Sequence, residues 1–270
     1  MTFLKIENLH LSFQSQGKHT PALKGINLTL YEKEKLGIVG ESGSGKSALV
    51  KAILKLHPPY NTHISQGEIW YKGINITNFT QKEMRKIRGK EIGMIFQDPM
   101  SCLNPTLKVG FQIAEGFRCH NPHVTKKEAK EHTLQLLHAV GMADAEERFN
   151  AYPHTLSGGL RQRVMIAIAL AAGPSLLIAD EATTALDVTI QAQILELIRS
   201  LQEEKSTIII THDLSVAAGF CDRLIVMYQG EIVEDAPADE IFSSPKHAYT
   251  KRLLSAIPKL QDEEEALSLS

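Results

Sequence analysis

The octapeptide Gly40-Glu41-Ser42-Gly43-Ser44-Gly45-Lys46-Ser47 constrains the fold of this 270-residue chain more than any other feature. It fits the pattern GxxxxGK[ST]. It stands between a short apolar run, Leu36 to Val39, and a helical periodicity at Leu49, Val50, Ile53, Leu54 and Leu56 that Pro58-Pro59 stops. Strand, glycine-rich loop and helix form a βα unit in which main-chain N–H groups curl around phosphate oxygens and the positive end of the helix dipole points at the same place. In such a loop the lysine, Lys46, reaches the β and γ phosphates and the hydroxyl, Ser47, ligates Mg²⁺. The plainer alternative, a mobile loop with a surface lysine, does not need a strand before it and a helix after it.

Composition narrows the class further. Lys plus Arg total 29 against 31 Asp plus Glu, a formal charge of -2, so no overall basic field points to a nucleic-acid partner. With 43% hydrophobic residues the chain builds a proper core and is not a disordered segment. The three cysteines, Cys102, Cys119 and Cys221, form no CxxC pair, which argues against a disulfide framework and fits a reducing compartment. Cys119, His120 and His123 lie in a polar, proline-containing stretch without a complementary pair, and read as a solvated loop. The opening MTFLKIENLH carries Lys5, Glu7 and Asn8 where a signal peptide needs an apolar stretch, so the expected location is cytoplasmic. The longest apolar run, Val164 to Ala179, contains Gly173-Pro174-Ser175 and is too short for a bilayer, so it reads as buried helix, turn and buried strand.

Along the chain, Leu4, Ile6, Leu9, Leu11 and Phe13 nearly alternate. Ile26, Leu28 and Leu30 alternate strictly after the breaker His19-Thr20-Pro21, predicting half-buried antiparallel strands. Ile69 to Tyr71 and Ile74 to Ile76 flank the hairpin signal Lys72-Gly73, and Ile92 to Phe96 is a compact strand. From Asp98 to His154 the character becomes helical, with Thr125 to Glu128 a capping box whose helix ends at Gly141. Then follow a helix over 157–170, a strand over 176–179, a helix over 189–204 and a strand over 207–210, an alternation that predicts a parallel sheet. Arg223 to Tyr228 and Glu231 to Val233 form a closing hairpin. Short helical pieces are expected beyond Pro237, and the acidic run at 262–265 reads as a solvated tail, with a docking element as the alternative.

Four of the buried strands run into a functional group: Val39 into Gly40, Phe96 into Gln97, Ala179 into Asp180-Glu181, and Ile210 into Thr211-His212. Open α/β sheets bind ligands beyond the carboxyl ends of their strands, so parallel strands would bring these groups to one edge. Asp180 then holds Mg²⁺ directly or through water, and Glu181 is placed to polarise an attacking water. The alternative for both carboxylates is N-capping of the following helix, and for His212 a packed or capping role. Ser157-Gly158-Gly159 opens a second helix start able to bind an anion. Spacing leaves open whether both helix starts touch one nucleotide in one molecule.

Taken together, the loop at 40–47, Gln97, Leu156 to Gln162, Leu176 to Glu181, Ala185-Leu186-Asp187 and His212 resemble, in order, the Walker A, Q-loop, signature, Walker B, D-loop and H-loop of ABC transporter ATPases. The resemblance covers residues 3 to about 235. It implies an α/β P-loop NTPase core with a parallel sheet, an N-terminal antiparallel β subdomain and a helical insertion. The expected boundaries are 1–97 with 156–235 for the core, 98–155 for the insertion and 236–270 for a C-terminal extension. By the same resemblance Phe13 stacks on adenine, and Gly40 to Ser47, Gln97, Ser157, Gly158, Gly159, Gln162 and Asp187 bind the nucleotide. Ser47, Gln97 and Asp180 attend the metal, and Lys46, Gln97, Glu181 and His212 serve catalysis. Two cassettes pair head to tail, each offering Ser157-Gly158-Gly159 to the γ-phosphate held by the other's Lys46.

Met94 to Met100, the SCLNP run ending at Pro105, Tyr152-Pro153-His154, Asp187 to Gln193 and His247-Ala248-Tyr249-Thr250 further resemble the peptide and nickel importer ATPases, particularly the oligopeptide/dipeptide type. That implies a second cassette, paralogous or identical, two transmembrane permease subunits, an extracytoplasmic solute-binding protein acting indirectly, no nucleic acid, and a place on the cytoplasmic face of the membrane. ATP and Mg²⁺ are the expected ligands. Nickel or another small solute, and a soluble ABC ATPase outside transport, are the alternatives. Ala182 stands where the family usually has proline, and no cysteine follows Cys221, so no iron–sulfur cluster is expected.

Overall fold

A computed structural model describes residues 1–15, 17–182 and 188–256. Its ten strands make two sheets. The first is antiparallel, with spatial order β2-β1-β4-β5, built from β1 (Thr2–Ser15), β2 (Lys18–Tyr31), β4 (Thr62–Tyr71) and β5 (Ile74–Asn75). The second has the order β10-β9-β3-β8-β7-β6 and contains β3 (Lys35–Val39), β6 (Ile92–Ile95), β7 (Leu176–Asp180), β8 (Ser206–Thr211), β9 (Arg223–Tyr228) and β10 (Glu231–Pro237). Five of its strands are mutually parallel, and β10 closes one edge antiparallel to β9.

The parallel sheet is covered on both faces, which explains why its strands read as unbroken apolar runs. Alternate residues divide between two cores. Leu36, Ile38, Leu176, Ile178, Ile208, Ile210, Ile225 and Met227 face the antiparallel sheet and helix α1 (Lys46–Ile53). Val39, Leu177, Ala179, Ile209, Leu224 and Val226 face the opposite core, which the later helices build. Between β4 and β7 the chain adds α2 (Gln81–Met84), α3 (Pro99–Cys102), α4 (Val109–Arg118), α5 (Lys126–Ala139), α6 (Ala145–Asn150) and α7 (Gly158–Leu170). The expected capping box is present at the start of α5: Thr125 Oγ1 accepts the Glu128 N–H at 3.2 Å, and Glu128 Oε2 accepts the Thr125 N–H at 2.8 Å. Helices α8 (Val188–Leu201), α9 (Leu214–Phe220), α10 (Ala238–Ser243) and α11 (Ala248–Ser255) complete the described residues.

Two local expectations are corrected. His19-Thr20-Pro21 does not interrupt β2, in which Pro21 pairs with Ser12 beside a register shift. β2 is an edge strand, so a missing N–H there breaks no ladder. Helix α1 ends at Ile53, short of Leu56, because Lys55 takes a positive φ of 49°. Among the described residues no helix is long and apolar enough to cross a membrane.

Candidate functional site at the sheet edge

The four strands that end in functional groups, β3, β8, β7 and β6, are contiguous and parallel, so Gly40, His212, Asp180-Glu181 and Gln97 do reach one edge of the sheet. There a cavity of about 560 Å³ is lined by residues that include Phe13, Ser42, Gly43, Gly45, Lys46, Ser47, Gln97 and Glu181.

The loop keeps its shape through two close approaches. A Cβ on Gly40 (φ 151°) would come within 2.3 Å of the Met227 carbonyl oxygen, and one on Gly45 (φ 106°) within 2.9 Å of the Ala22 carbonyl oxygen. Glycine is therefore required where β9 and β2 press on the loop. The Gly230 N–H donates to the Ser44 carbonyl at 3.0 Å, fastening the loop to the β9–β10 turn. The Ser44 hydroxyl is buried without a hydrogen-bond partner among the described residues. Lys46 is only 4% exposed, and its Nζ donates to the Gly40 and Glu41 carbonyls at 2.6 and 2.8 Å. Burial lowers its pKa against the pull of Glu181, Asp180 and Glu41, so an incoming anion would find the ammonium incompletely neutralised by protein.

Ser47 Oγ donates to Asp180 Oδ1 at 2.8 Å. Burial pushes the Asp180 carboxyl up, and the hydrogen bond from Ser47 opposes that shift. A hydroxyl and a carboxylate side by side form an all-oxygen donor set suited to a hard cation such as Mg²⁺, and the hydroxyl can donate to Asp180 while its lone pair faces a metal. Next to them Gln97 Nε2 donates to Glu181 Oε2 at 2.6 Å. Glu181 takes φ 47°, and its N–H donates to the Ile210 carbonyl at 3.0 Å. That left-handed turn swings its side chain off the strand into the cavity. His212 Nδ1 stands 4.0 Å from Glu181 Oε1; the ring does not line the cavity and its side chain is 57% exposed.

Other expected residues lie elsewhere. Ser157 caps α7 by accepting the Leu160 N–H, and Ser157, Gly158 and Gly159 do not line the cavity at Lys46. Ser157 and Gly158 are exposed, and a Cβ on Gly158 would meet nothing within 4 Å. Gln162 is 1% exposed, and its amide donates to the Ala182 carbonyl rather than lining the cavity. Gly40, Glu41 and Ser44 belong to the loop but do not line the cavity. Asp187 lies outside the described residues. The Phe13 ring meets His57 edge to face at 5.2 Å on the cavity's rim.

Sequence reading missed Thr20, Pro21, Ala22, Lys24, Gln229 and Gly230, which also line the cavity. The Gln229-Gly230 pair was legible as a turn, but nothing in the sequence says that the turn docks on the loop.

The ABC transporter family model matches residues 23–184, and that of the oligopeptide/dipeptide transporter C-terminal region matches residues 233–269. The chain is 52% identical over 264 residues to the oligopeptide transport ATP-binding protein OppD of Bacillus subtilis, covering 97% of this chain and 74% of that protein. It is 48% identical to the dipeptide transport ATP-binding protein DppD of Lactococcus lactis, covering 98% and 76%. Among solved structures, the dimeric post-hydrolysis state of the ATP-binding cassette MJ0796 bound to ADP and Pi superposes with TM-score 0.78 at 30% identity, over 87% of this chain and 99% of that one. The cbiO1 protein of Clostridium perfringens, part of an ABC transporter complex, gives 0.77 at 28%, over 98% and 99%. The chain belongs to the ABC transporter ATP-binding family, alongside the oligopeptide and dipeptide transport proteins.

Proposed function

We propose that this chain binds ATP with Mg²⁺ in the cavity at Lys46 and hydrolyses it to drive the import of peptides, as one of two cassettes beneath a pair of membrane subunits on the cytoplasmic face. The observation that carries the reading is the convergence of Lys46, Ser47 with Asp180 bonded behind it, and the Gln97–Glu181 pair on one cavity at the carboxyl edge of four adjacent parallel strands. Relatives named for oligopeptide and dipeptide transport support the choice of peptide as cargo.

In this reading the loop amides of residues 43–47, the Ser44 hydroxyl and Lys46 receive the phosphates, Lys46 exchanging its two carbonyl partners for phosphate oxygens. Phe13 offers a ring face to the base. Ser47 and Asp180 would hold Mg²⁺, which neutralises charge building on the phosphate oxygens. Glu181 accepts the proton of the attacking water while Gln97 fixes the carboxylate's orientation, and His212 stands beside them to contact the γ-phosphate. Ser157, Gly158 and Gly159, none of which lines their own chain's cavity, serve the nucleotide of a partner cassette. The helical insertion meets the membrane subunits, with Gln97 at its root.

Ser157→Arg tests the pairing. The isolated variant should bind ATP with Mg²⁺ within about twofold of the wild-type affinity, since residue 157 does not line the cavity. Hydrolysis by the assembled transporter should fall by about 10²-fold, the size of a lost transition-state contact. Loss of nucleotide binding in the isolated variant would mean that the loop works within its own chain.

A further inference from the structure

The C-terminal segment reaches the nucleotide loop at residue 41, through Tyr249 and Arg252. Tyr249, in the first turn of α11 and 4% exposed, accepts the Glu41 N–H on its phenol oxygen at 2.9 Å. Its ring lies on Tyr228 of β9 with centroids 4.2 Å apart. The Arg252 guanidinium sits 5.3 Å from the Tyr249 ring centre and 3.9 Å from the Glu41 carboxylate. The start of α11 is itself pinned: Glu234 of β10 is 8% exposed and accepts the N–H groups of Lys246 at 2.7 Å and His247 at 3.0 Å. A continuous path therefore runs from β10 through α11 and Tyr249 to residue 41.

Glu41 does not line the cavity, and its N–H is turned toward Tyr249, so this contact is a strut rather than a phosphate donor. On its other side the Glu41 carbonyl accepts Lys46 Nζ at 2.8 Å and the Ser44 N–H at 3.2 Å. When Lys46 turns to a phosphate it gives up that carbonyl. Of the main-chain hydrogen bonds at residue 41 described here, those with Ser44 and Tyr249 then remain, and the second is the one supplied from outside the loop.

We propose that Tyr249 is a positioning residue for nucleotide binding, its hydroxyl holding the loop in the receptive shape, so that docking of α11 and occupation of the cavity favour each other. This rests on the reading that residues 40–47 hold the nucleotide. It assigns the C-terminal extension a role at the ATP site.

Tyr249→Phe in the full chain removes one oxygen and keeps the ring stack. ATP with Mg²⁺ is titrated calorimetrically, hydrolysis is followed for the KM and kcat split, and exchange of the Glu41 amide is measured without nucleotide. The expected result is faster Glu41 exchange, affinity weakened about five- to tenfold, the size of one hydrogen bond, a matching rise in KM, and kcat within about twofold. A purely structural role would lower kcat and the melting temperature together and spare that split. Unchanged affinity in Tyr249→Phe, whatever the exchange rate, overturns the inference and leaves the nucleotide site standing. Absence of ATP binding by the wild-type chain overturns both.

Discussion

Replacing Glu181 by glutamine separates chemistry from architecture, because the two effects differ in size by the structure's own geometry. The side chain keeps its length, the backbone keeps its φ of 47°, and the new amide oxygen can still accept Gln97 Nε2, now 2.6 Å from Glu181 Oε2. What changes on the structural side is one charge-assisted hydrogen bond becoming neutral, which costs about 1 kcal/mol and moves the melting temperature by roughly 2–4 °C in a chain of this size. What changes on the chemical side is the capacity to accept a proton from water. A positioned general base contributes about 10²- to 10⁴-fold, or roughly 2.7–5.4 kcal/mol of barrier. The His212 ring, 4.0 Å from Glu181 Oε1, does not line the cavity in which the water would be activated. Phosphate release at saturating ATP and Mg²⁺ should therefore drop by at least about 10²-fold, while a calorimetric titration returns wild-type affinity within a few fold. Turnover within about threefold of wild type would remove Glu181 from the role of base.

Two further outcomes follow from groups away from the cavity. Burial raises the Glu234 carboxyl, but the hydrogen bonds it accepts from the N–H groups of Lys246 and His247 help to outweigh it, so its folded pKa lies below the ordinary 4.5. A depressed carboxylate stabilises the fold fully above its unfolded value and loses that contribution as pH falls through the folded one. Exchange protection of the α11 amides should accordingly decline below pH 4.5, and Glu234→Gln should abolish that dependence; protection in the wild-type chain that is flat to about pH 3 would refute the anchor. Burial pushes the Cys221 thiol up to about 12, whereas Cys102 and Cys119 are exposed. Iodoacetamide at about pH 8 should modify Cys102 and Cys119 and spare Cys221 in the folded chain, and comparable rates for all three would show that α9 and its neighbours open readily.

Much of the site was legible because its residues sit where a period changes. An apolar strand of four or five residues followed at once by Gly40, Gln97, Asp180 or Thr211-His212 marks a strand end, and parallel order then places those ends together. The βα unit at 35–53 and the capping box at Thr125 read directly, since each rests on contacts within a few residues. The illegible parts depend on distant partners. Pro21 reads as a breaker until β2 is known to be an edge strand. The φ of 47° at Glu181 leaves no mark in a sequence that has neither glycine nor asparagine there, because the surrounding contacts impose it. Tyr249 stands 208 positions from Glu41, and an aromatic in a C-terminal helix carries no local sign of its partner.

The proposed pairing has a consequence for how two cavities communicate. The exposed tip of helix α7, Ser157 and Gly158, does not line its own chain's cavity, yet the buried flank of the helix is bonded to the residue after Glu181: Gln162 donates to the Ala182 carbonyl, and both residues are buried. On the pairing proposed above, a partner's γ-phosphate meets the tip while Gln162, little more than one helical turn along, grips the turn that aims Glu181. A rigid helix cannot shift at its tip without moving that carbonyl, and a residue held at φ 47° is poised to convert a small displacement of its neighbour into a change of side-chain direction. On that proposed pairing, engagement of the partner's nucleotide at the tip would be transmitted through Gln162 to the turn at Glu181, so hydrolysis at one cavity should depend on occupancy of the other.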